Sequence, residues 1–139
     1  MFRSANSGLG LFILRLAVGL VFFWHGMGKL VGPPFAGGGM DATIGFFSQL
    51  GIPMSTIAAW GVGIAETLGG AALMLGAVVP LVALILATDM AVAILLLIVK
   101  LGKSPLGGVE LESLLLAGSL CLFFAGPGIL SVRVQNKTS

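Results

Sequence analysis

Charged side chains are scarce in this 139-residue chain. Aspartate, glutamate, lysine and arginine together make up 9% of the residues, whereas hydrophobic residues make up 58%. Soluble globular proteins are charged at about a quarter of their positions. A soluble domain of this length would therefore leave too much apolar surface in water. This composition excludes a soluble fold and predicts a chain that lies mostly within a membrane.

Cysteine, histidine and clustered basic residues are also scarce. The one cysteine, Cys121, lies in the last apolar run, so the chain has neither an internal disulfide nor a dithiol centre of its own. A formal charge of +2 without basic clusters argues against a nucleic-acid partner. The one histidine, His25, excludes a haem held by two histidines of one chain. Together with Glu66 and Asp89 it would be a sparse ligand set, so we predict no metal site.

Four long apolar runs dominate the sequence. A helix needs about 20 residues to cross a bilayer, and we predict helices at about 8–31, 55–78, 80–99 and 110–126. Residues 1–139 then form a single transmembrane domain, an all-α integral membrane four-helix bundle. Glycine and proline interrupt the chain between the first two helices, where we predict an extended loop or a short interfacial helix. On that helix Phe46, Phe47 and Leu50 would face the lipid headgroups; the alternative is a loop packed over the bundle mouth.

Five ionisable residues interrupt the apolar runs. Arg15, His25 and Lys29 lie in the first run, Glu66 in the second and Asp89 in the third. A charge at the bilayer centre costs about 2.5 to 3.5 kcal/mol on insertion scales, so it is retained where neighbouring helices supply partners. His25 and Lys29 are four residues apart and share a helical face. The helical rise places Glu66 and Asp89 near the height of Arg15, and we expect Arg15 to pair with both acids.

These residues and one neighbouring aromatic residue form the predicted site. We assign catalytic roles to Glu66, His25 and Asp89, and substrate-binding roles to Arg15, Lys29 and Trp24. Arg15 would supply a fixed positive charge, Glu66 would accept a proton, and His25 would relay a proton or donate to a quinone carbonyl. Because two acids beside one arginine leave a net negative cluster, we expect Asp89 or Glu66 to be protonated at neutral pH. The alternative is a buried ion pair that sets the register of the helices without chemistry.

Small residues in the second run predict close helix packing. Ala65 with Gly69, and Ala72 with Gly76, have the spacing that lets two helix backbones approach each other. We expect this approach to bring Glu66 against the first helix.

The remaining charges lie near the ends of the runs. Glu110 and Glu112 begin the last run, where carboxylates favour the helix dipole, and we expect them to be solvated rather than paired with Lys29. Arg3, Arg133 and Lys137 lie on the side of the termini, and Lys100 and Lys103 lie on the other. With Lys29 counted as part of the bundle, this distribution predicts cytoplasmic termini.

The order and spacing of several motifs resemble those of a known family, the DoxX family of small four-helix bacterial membrane proteins. The resemblance covers nearly the whole chain. It rests on Arg15 with Gly19, His25-Gly26-x-x-Lys29-Leu30, Gly51-Ile52-Pro53, Glu66 with Gly69-Gly70, Leu75-Gly76 and Gly126-Pro127-Gly128. Family members usually continue from Gly-Pro-Gly into a Ser-hydrophobic-Asp ending, whereas this chain has Ser131-Val132-Arg133.

The resemblance implies a redox role in the bacterial inner membrane. Related DoxD-like subunits belong to thiosulfate:quinone oxidoreductase, and other members are linked with thiol and oxidative-stress proteins. We therefore expect a subunit or partner in quinone-linked sulfur or thiol oxidation, or in the response to redox stress. The cofactor is left open, with a quinone as the candidate. Its expected partners are the lipid bilayer, a membrane or soluble redox protein, and further copies of the chain. Two alternatives remain: a non-enzymatic membrane scaffold that recruits a redox partner, and a small-molecule transporter or binding bundle.

Overall fold

The chain folds into five α-helices. The computed structural model describes residues 2–132, with side chains from residue 5 onward, and this part of the chain contains no strand. The helices are α1 (Phe2–Leu30), α2 (Gly39–Gln49), α3 (Ser55–Leu75), α4 (Val79–Leu101) and α5 (Glu110–Ala125). The predicted all-α class is confirmed. Arg133 and Lys137, on which the expected orientation of the termini depends, lie outside the described residues.

Three of these helices are long and apolar enough to cross a bilayer. They are Ala5–Leu30 within α1, Ser55–Leu75 and Val79–Leu101, with 26, 21 and 23 residues. The remaining predicted span, α5, has 16 residues. At a rise of 1.5 Å per residue it is about 24 Å long, somewhat less than the hydrocarbon thickness of about 30 Å.

The contacts between helices define their neighbours. The backbone of α1 packs mainly against α3, and that of α4 mainly against α5, with further contacts between α3 and α4 and between α1 and α5. Within the described residues α1 does not approach α4, and α3 does not approach α5. The order around the structure is therefore α1, α3, α4, α5, and the apolar core between them includes Val18, Phe22, Leu73, Leu86, Leu115 and Leu122.

Glycines set the register between α1 and α3. A Cβ atom on Gly19 would lie 2.7 Å from the carbonyl oxygen of Gly70, and one on Gly26 would lie 2.5 Å from the backbone nitrogen of Thr67. Both distances are shorter than a real Cβ contact, so the two backbones can approach this closely because these positions lack a side chain.

The small residues that carry this approach differ from the predicted ones. A Cβ atom on Gly63 would meet Leu30 of α1 at 2.7 Å, and Gly70 faces Phe23 of α1. In contrast, a Cβ atom on Gly69 would meet Leu86 of α4 at 3.1 Å. Gly69 therefore faces α4 and not α1, which corrects the prediction for that residue, whereas Gly76 of the second predicted pair lies against Arg15 of α1. Gly63 and Gly70 are seven residues apart, two helical turns, and Glu66 lies on the same face between them.

Replacing Gly26 with alanine should destabilise the protein by about 1–3 kcal/mol, since the new methyl group would force α1 and α3 apart. Thermal unfolding in detergent micelles, followed by tryptophan fluorescence, measures the change. Gly10→Ala is the matched control, because Gly10 also lies in α1 and has open space where the methyl group would go. Equal unfolding temperatures for the two variants would contradict this account of the α1–α3 contact.

Helix α2 forms where a short helix is predicted, but its apolar residues face in two directions. Phe46 is exposed, whereas Phe47 and Leu50 are buried. The Thr43 hydroxyl lies 2.8 Å from the carbonyl oxygen of Gly39 in α2 and 3.2 Å from that of Lys29 in α1, so its one proton can be shared between the two helices. The prediction that Phe47 and Leu50 face the headgroups is therefore wrong. These two side chains instead point toward the interior because α2 packs on α1 and α3.

Candidate functional site

A cavity of about 380 Å³ lies beneath α2, between α1, α3, α4 and α5. Most of its wall is apolar, with side chains such as Phe22, Phe47, Leu50, Met90 and Leu115. Five ionisable side chains interrupt that wall, namely His25, Lys29, Glu66, Asp89 and Glu112. Each of the four long helices contributes at least one of them, so the folding of the whole chain is needed to assemble the group.

Lys29 and Glu66 form an ion pair in the cavity wall. The Nζ atom of Lys29 donates to Oε2 of Glu66 at 2.6 Å. The Glu66 side chain is 3% exposed and that of Lys29 is 25% exposed. The α1–α3 register explains the pair, because Gly26 lies opposite Thr67 and so brings the last turn of α1 level with Glu66. Because Glu66 is almost fully buried, its carboxylate would be poorly solvated without Lys29.

Asp89 joins this pair from α4. Its carboxyl group interacts with that of Glu66 and lies in the field of the Lys29 ammonium group. Its Oδ2 atom is buried and has no hydrogen-bond partner among the described residues. As expected from the sequence, the acids of the second and third runs come together. The cation between them is Lys29, not Arg15.

His25 lines the cavity, and one of its ring nitrogens is held by a hydrogen bond within α1. Its Nδ1 atom lies 2.9 Å from the carbonyl oxygen of Val21, one turn earlier in α1. A carbonyl oxygen only accepts hydrogen bonds, so Nδ1 carries the proton and the neutral ring keeps its lone pair on Nε2. The ring lines the cavity, and it can accept a proton there and return it.

Glu112 is a member of the site that the sequence analysis does not identify. It lies in the first turn of α5 and lines the cavity from the side opposite α3. The dipole of α5 explains an acid at this position without any site. The one feature of the sequence that could have placed Glu112 in the site is that it lies at the same end of the helices as Lys29. That feature would have suggested a pair between them, whereas Lys29 pairs with Glu66.

Arg15 is buried in a different part of the molecule. Its Nη1 and Nη2 atoms donate to the carbonyl oxygens of Pro127 and Leu130, both at 2.9 Å, and its Nε atom has no partner within residues 5–132. The predicted pairing of Arg15 with Glu66 and Asp89 is therefore wrong. The Arg15 guanidinium lies against Gly76, at the end of α3. Gly76 is ten residues after Glu66, so Arg15 and the ion pair are about 15 Å apart along α3.

Trp24 also lies away from the cavity. It is exposed, and its ring packs edge-on against Phe35 with the ring centroids 4.9 Å apart. Neither Trp24 nor Arg15 lines the cavity. Of the six predicted site residues, the structure thus brings together His25, Lys29, Glu66 and Asp89.

The arrangement combines a cation, carboxyl groups and an imidazole with apolar walls. Lys29 can donate hydrogen bonds to an oxygen atom, and the carboxyl and imidazole groups can hold or pass protons. Within the described part of the chain, no three histidine, cysteine, aspartate or glutamate residues are grouped as ligands of a metal ion would be. The chemistry that this cavity supports is the binding of a partly apolar molecule whose polar atoms exchange protons.

Comparison with known proteins gives two matches. Residues 10–99, which contain His25, Lys29, Glu66 and Asp89, match the family model described as DoxX. The chain is also 31% identical over 124 residues to a Bacillus subtilis (strain 168) protein named "Putative oxidoreductase CatD", covering 89% of this chain and 84% of the relative. No solved structure matches the chain. The family match spans more than half of the sequence and the three apolar helices fit a bilayer, so the chain is a membrane protein that belongs to the DoxX family.

Proposed function

We propose that the cavity binds the head group of a quinone, and that the protein acts as a membrane subunit or partner in the quinone-linked oxidation of sulfur or thiol compounds. The observation that carries this proposal is the buried Lys29–Glu66 pair beside Asp89 in an apolar cavity. The name of the Bacillus relative supports a redox role, since it describes an oxidoreductase.

The residues of the cavity fit a quinone head group. Such a head group has an apolar ring and carbonyl oxygens that accept hydrogen bonds. The Lys29 ammonium group has three N–H donors, of which Glu66 takes one, so two remain for a carbonyl oxygen. The buried apolar side chains of Phe47 in α2, Met90 in α4 and Leu115 in α5 would hold the ring. The volume of about 380 Å³ lies within the range of about 300 to 1,000 Å³ that small-molecule sites have.

The ionisable residues would serve proton transfer. A bound quinone takes up two electrons and two protons when it is reduced to a quinol. Glu66 and Asp89 can share one proton, which leaves their cluster with Lys29 neutral, and either acid can pass that proton to a neighbouring oxygen. The second proton would pass through His25, whose ring would take up a proton at Nε2 and then donate it. The electrons would come from a sulfur compound oxidised on a partner protein, because this chain has one cysteine.

The proposed setting is the bacterial inner membrane. In this arrangement α1, α3, α4 and α5 span the bilayer as a four-helix bundle, α2 lies at one interface, and the termini are cytoplasmic. The contacts of Arg15 with Pro127 and Leu130 support α5 as the fourth span, since they fold the segment after this short helix back into the protein.

Purified protein should retain quinone, and Glu66→Gln should lower the retained amount by about tenfold, since the variant loses the carboxylate that holds Lys29 in place. Organic extraction of the protein from mild detergent, followed by chromatography and mass spectrometry, gives the amount of quinone per chain. Glu110→Gln is the matched control. Glu110 is an exposed acid two residues from Glu112 that binds the backbone N–H of Gly108 and does not line the cavity.

Two results would contradict the proposal. One is a wild-type protein that contains no quinone and does not bind an added short-chain quinone. The other is Glu66→Gln protein that binds quinone as well as the Glu110→Gln control does.

A further inference from the structure

The cavity has an opening on one side, between α2 and the pair α4 and α5. Side chains from all five helices line the cavity. The backbone of α2, however, packs on α1 and α3 and does not approach α4 or α5. Helix α2, which covers the cavity, is therefore attached along one edge, and its opposite edge faces α4 and α5 without backbone contact.

Three apolar residues border this opening. Phe46 of α2, Val92 of α4 and Leu111 of α5 all line the cavity, and they are also 41%, 50% and 41% exposed. We call these three residues the portal. Val92 lies nine residues before the end of α4, about 14 Å along the helix. The portal therefore extends from the end of the helices into the depth of the hydrocarbon layer.

The cavity is closed at its inner end. The core residues Phe22, Met90 and Leu115 form part of its wall and are themselves buried. Leu86 and Leu122 lie behind them and have no exposed surface. The core thus closes the cavity toward Arg15, and the exposed lining residues lie at its other end, beside α2.

We propose that the portal is a lateral opening to the lipid, through which the isoprenoid tail of a quinone extends into the bilayer while its head group lies at Lys29 and Glu66. This inference rests on the proposed function for the head group, and it defines the ligand class more closely as a membrane-soluble molecule with a long apolar tail. The three portal side chains are apolar and partly exposed, and Val92 lies at a depth where the surroundings would be hydrocarbon. They match an apolar chain, whereas a water-soluble ligand would gain nothing from them.

Substitutions that narrow the portal test the inference. Val92→Trp and Leu111→Trp place a larger side chain at the opening. Their matched controls are Leu95→Trp and Leu114→Trp, which lie on the same two helices, are 62% and 72% exposed, and do not line the cavity. The probes are a menaquinone with a long isoprenoid tail and menadione, which has the same ring without a tail. Binding is measured to the full-length protein in lipid nanodiscs.

The expected result is a selective loss of the tailed probe. Val92→Trp and Leu111→Trp should weaken binding of the long-tailed menaquinone by about tenfold and change menadione binding by less than about twofold. The two controls should bind both probes as the wild type does. Equal losses of both probes in the portal variants, or no loss of the tailed probe, would overturn the inference.

A lipid probe separates this inference from the quinone proposal. A fatty acid with a diazirine at the end of its acyl chain, incorporated into the nanodiscs, should label Leu115 inside the cavity of the wild type. Labelling should fall in Val92→Trp. If neither quinone binds but the fatty acid labels Leu115, the portal stands and the quinone proposal fails. If the quinones bind and the portal variants do not distinguish them, the quinone proposal stands and the portal fails.

Discussion

Arg15→Leu should lower the free energy of unfolding by about 3 kcal/mol. The variant loses two hydrogen bonds to a charged donor, worth about 1.5 to 3 kcal/mol each, and leaves the carbonyl oxygens of Pro127 and Leu130 without that donor. The loss is partly offset, because leucine avoids the cost of burying a charge. Unfolding in detergent micelles measures the stability. Limited proteolysis should also show faster cleavage within residues 126–132, which the guanidinium holds against the helices.

Arg15→Lys is the control that separates charge from geometry. Lysine keeps the positive charge, but an ammonium group lacks the planar fork with which Arg15 reaches two carbonyl oxygens at once. We expect intermediate stability and intermediate protection of residues 126–132. Wild-type stability and protection in Arg15→Leu would show that the contacts of Arg15 with this segment contribute nothing.

Lys29→Leu should destabilise the protein by about 3–5 kcal/mol, because it leaves the Glu66 carboxylate buried without its cation. Glu66→Leu should lower the stability of the protein by less than Lys29→Leu does. The Lys29 side chain is 25% exposed and can extend toward water, whereas Glu66 is 3% exposed and cannot. Chemical denaturation of the two variants in the same detergent gives the order of the effects.

The double variant Lys29→Leu, Glu66→Leu completes a double-mutant cycle, which measures how strongly the two side chains interact. Removing both members of the pair leaves no Glu66 carboxylate without its cation, so this protein should be more stable than Lys29→Leu alone. A double variant whose loss equals the sum of the two single losses would show that the two side chains do not stabilise each other.

The sequence is sufficient to predict the helices and one face of the site. Too few charges for a soluble fold, together with long apolar runs, predict helices in a bilayer, and α1, α3 and α4 meet that requirement. The four-residue spacing of His25 and Lys29 places both on one side of α1, and both line the cavity. These predictions succeed because they depend on spacing within a single helix.

The partner of Arg15 is predicted wrongly because it depends on how helices pack. The depth of a residue in the membrane, calculated from the helical rise, depends on where its helix begins and ends. Helix α1 begins at Phe2 and has 29 residues, whereas the prediction has it begin near residue 8. Two residues at the same depth can also lie on helices that are not neighbours, and the calculated depths do not show which helices pack together. The backbone of α4, which carries Asp89, is not a neighbour of α1, whereas the segment after α5 lies directly against Arg15.

Glu112, Phe47 and Leu50 are missed for a related reason. The nearby sequence is enough to explain each of them without a site. Glu112 is a carboxylate in a first helical turn, and Phe47 and Leu50 are apolar residues of a short interfacial helix. Their place in the cavity wall depends on α2 packing over α1 and α3 and on α5 packing against α4. Residues so far apart in sequence leave no periodic signal of their proximity.

The sequence by itself determined that this protein is helical, that it lies in a membrane, and that a lysine and a histidine share one face of its first helix. Only the tertiary structure decided which cation meets which acid. An ion pair requires its atoms to lie within a few ångströms of each other, and the glycine contacts between α1 and α3 set that register. They bring Lys29 to Glu66 and leave Arg15 to bind backbone carbonyl oxygens.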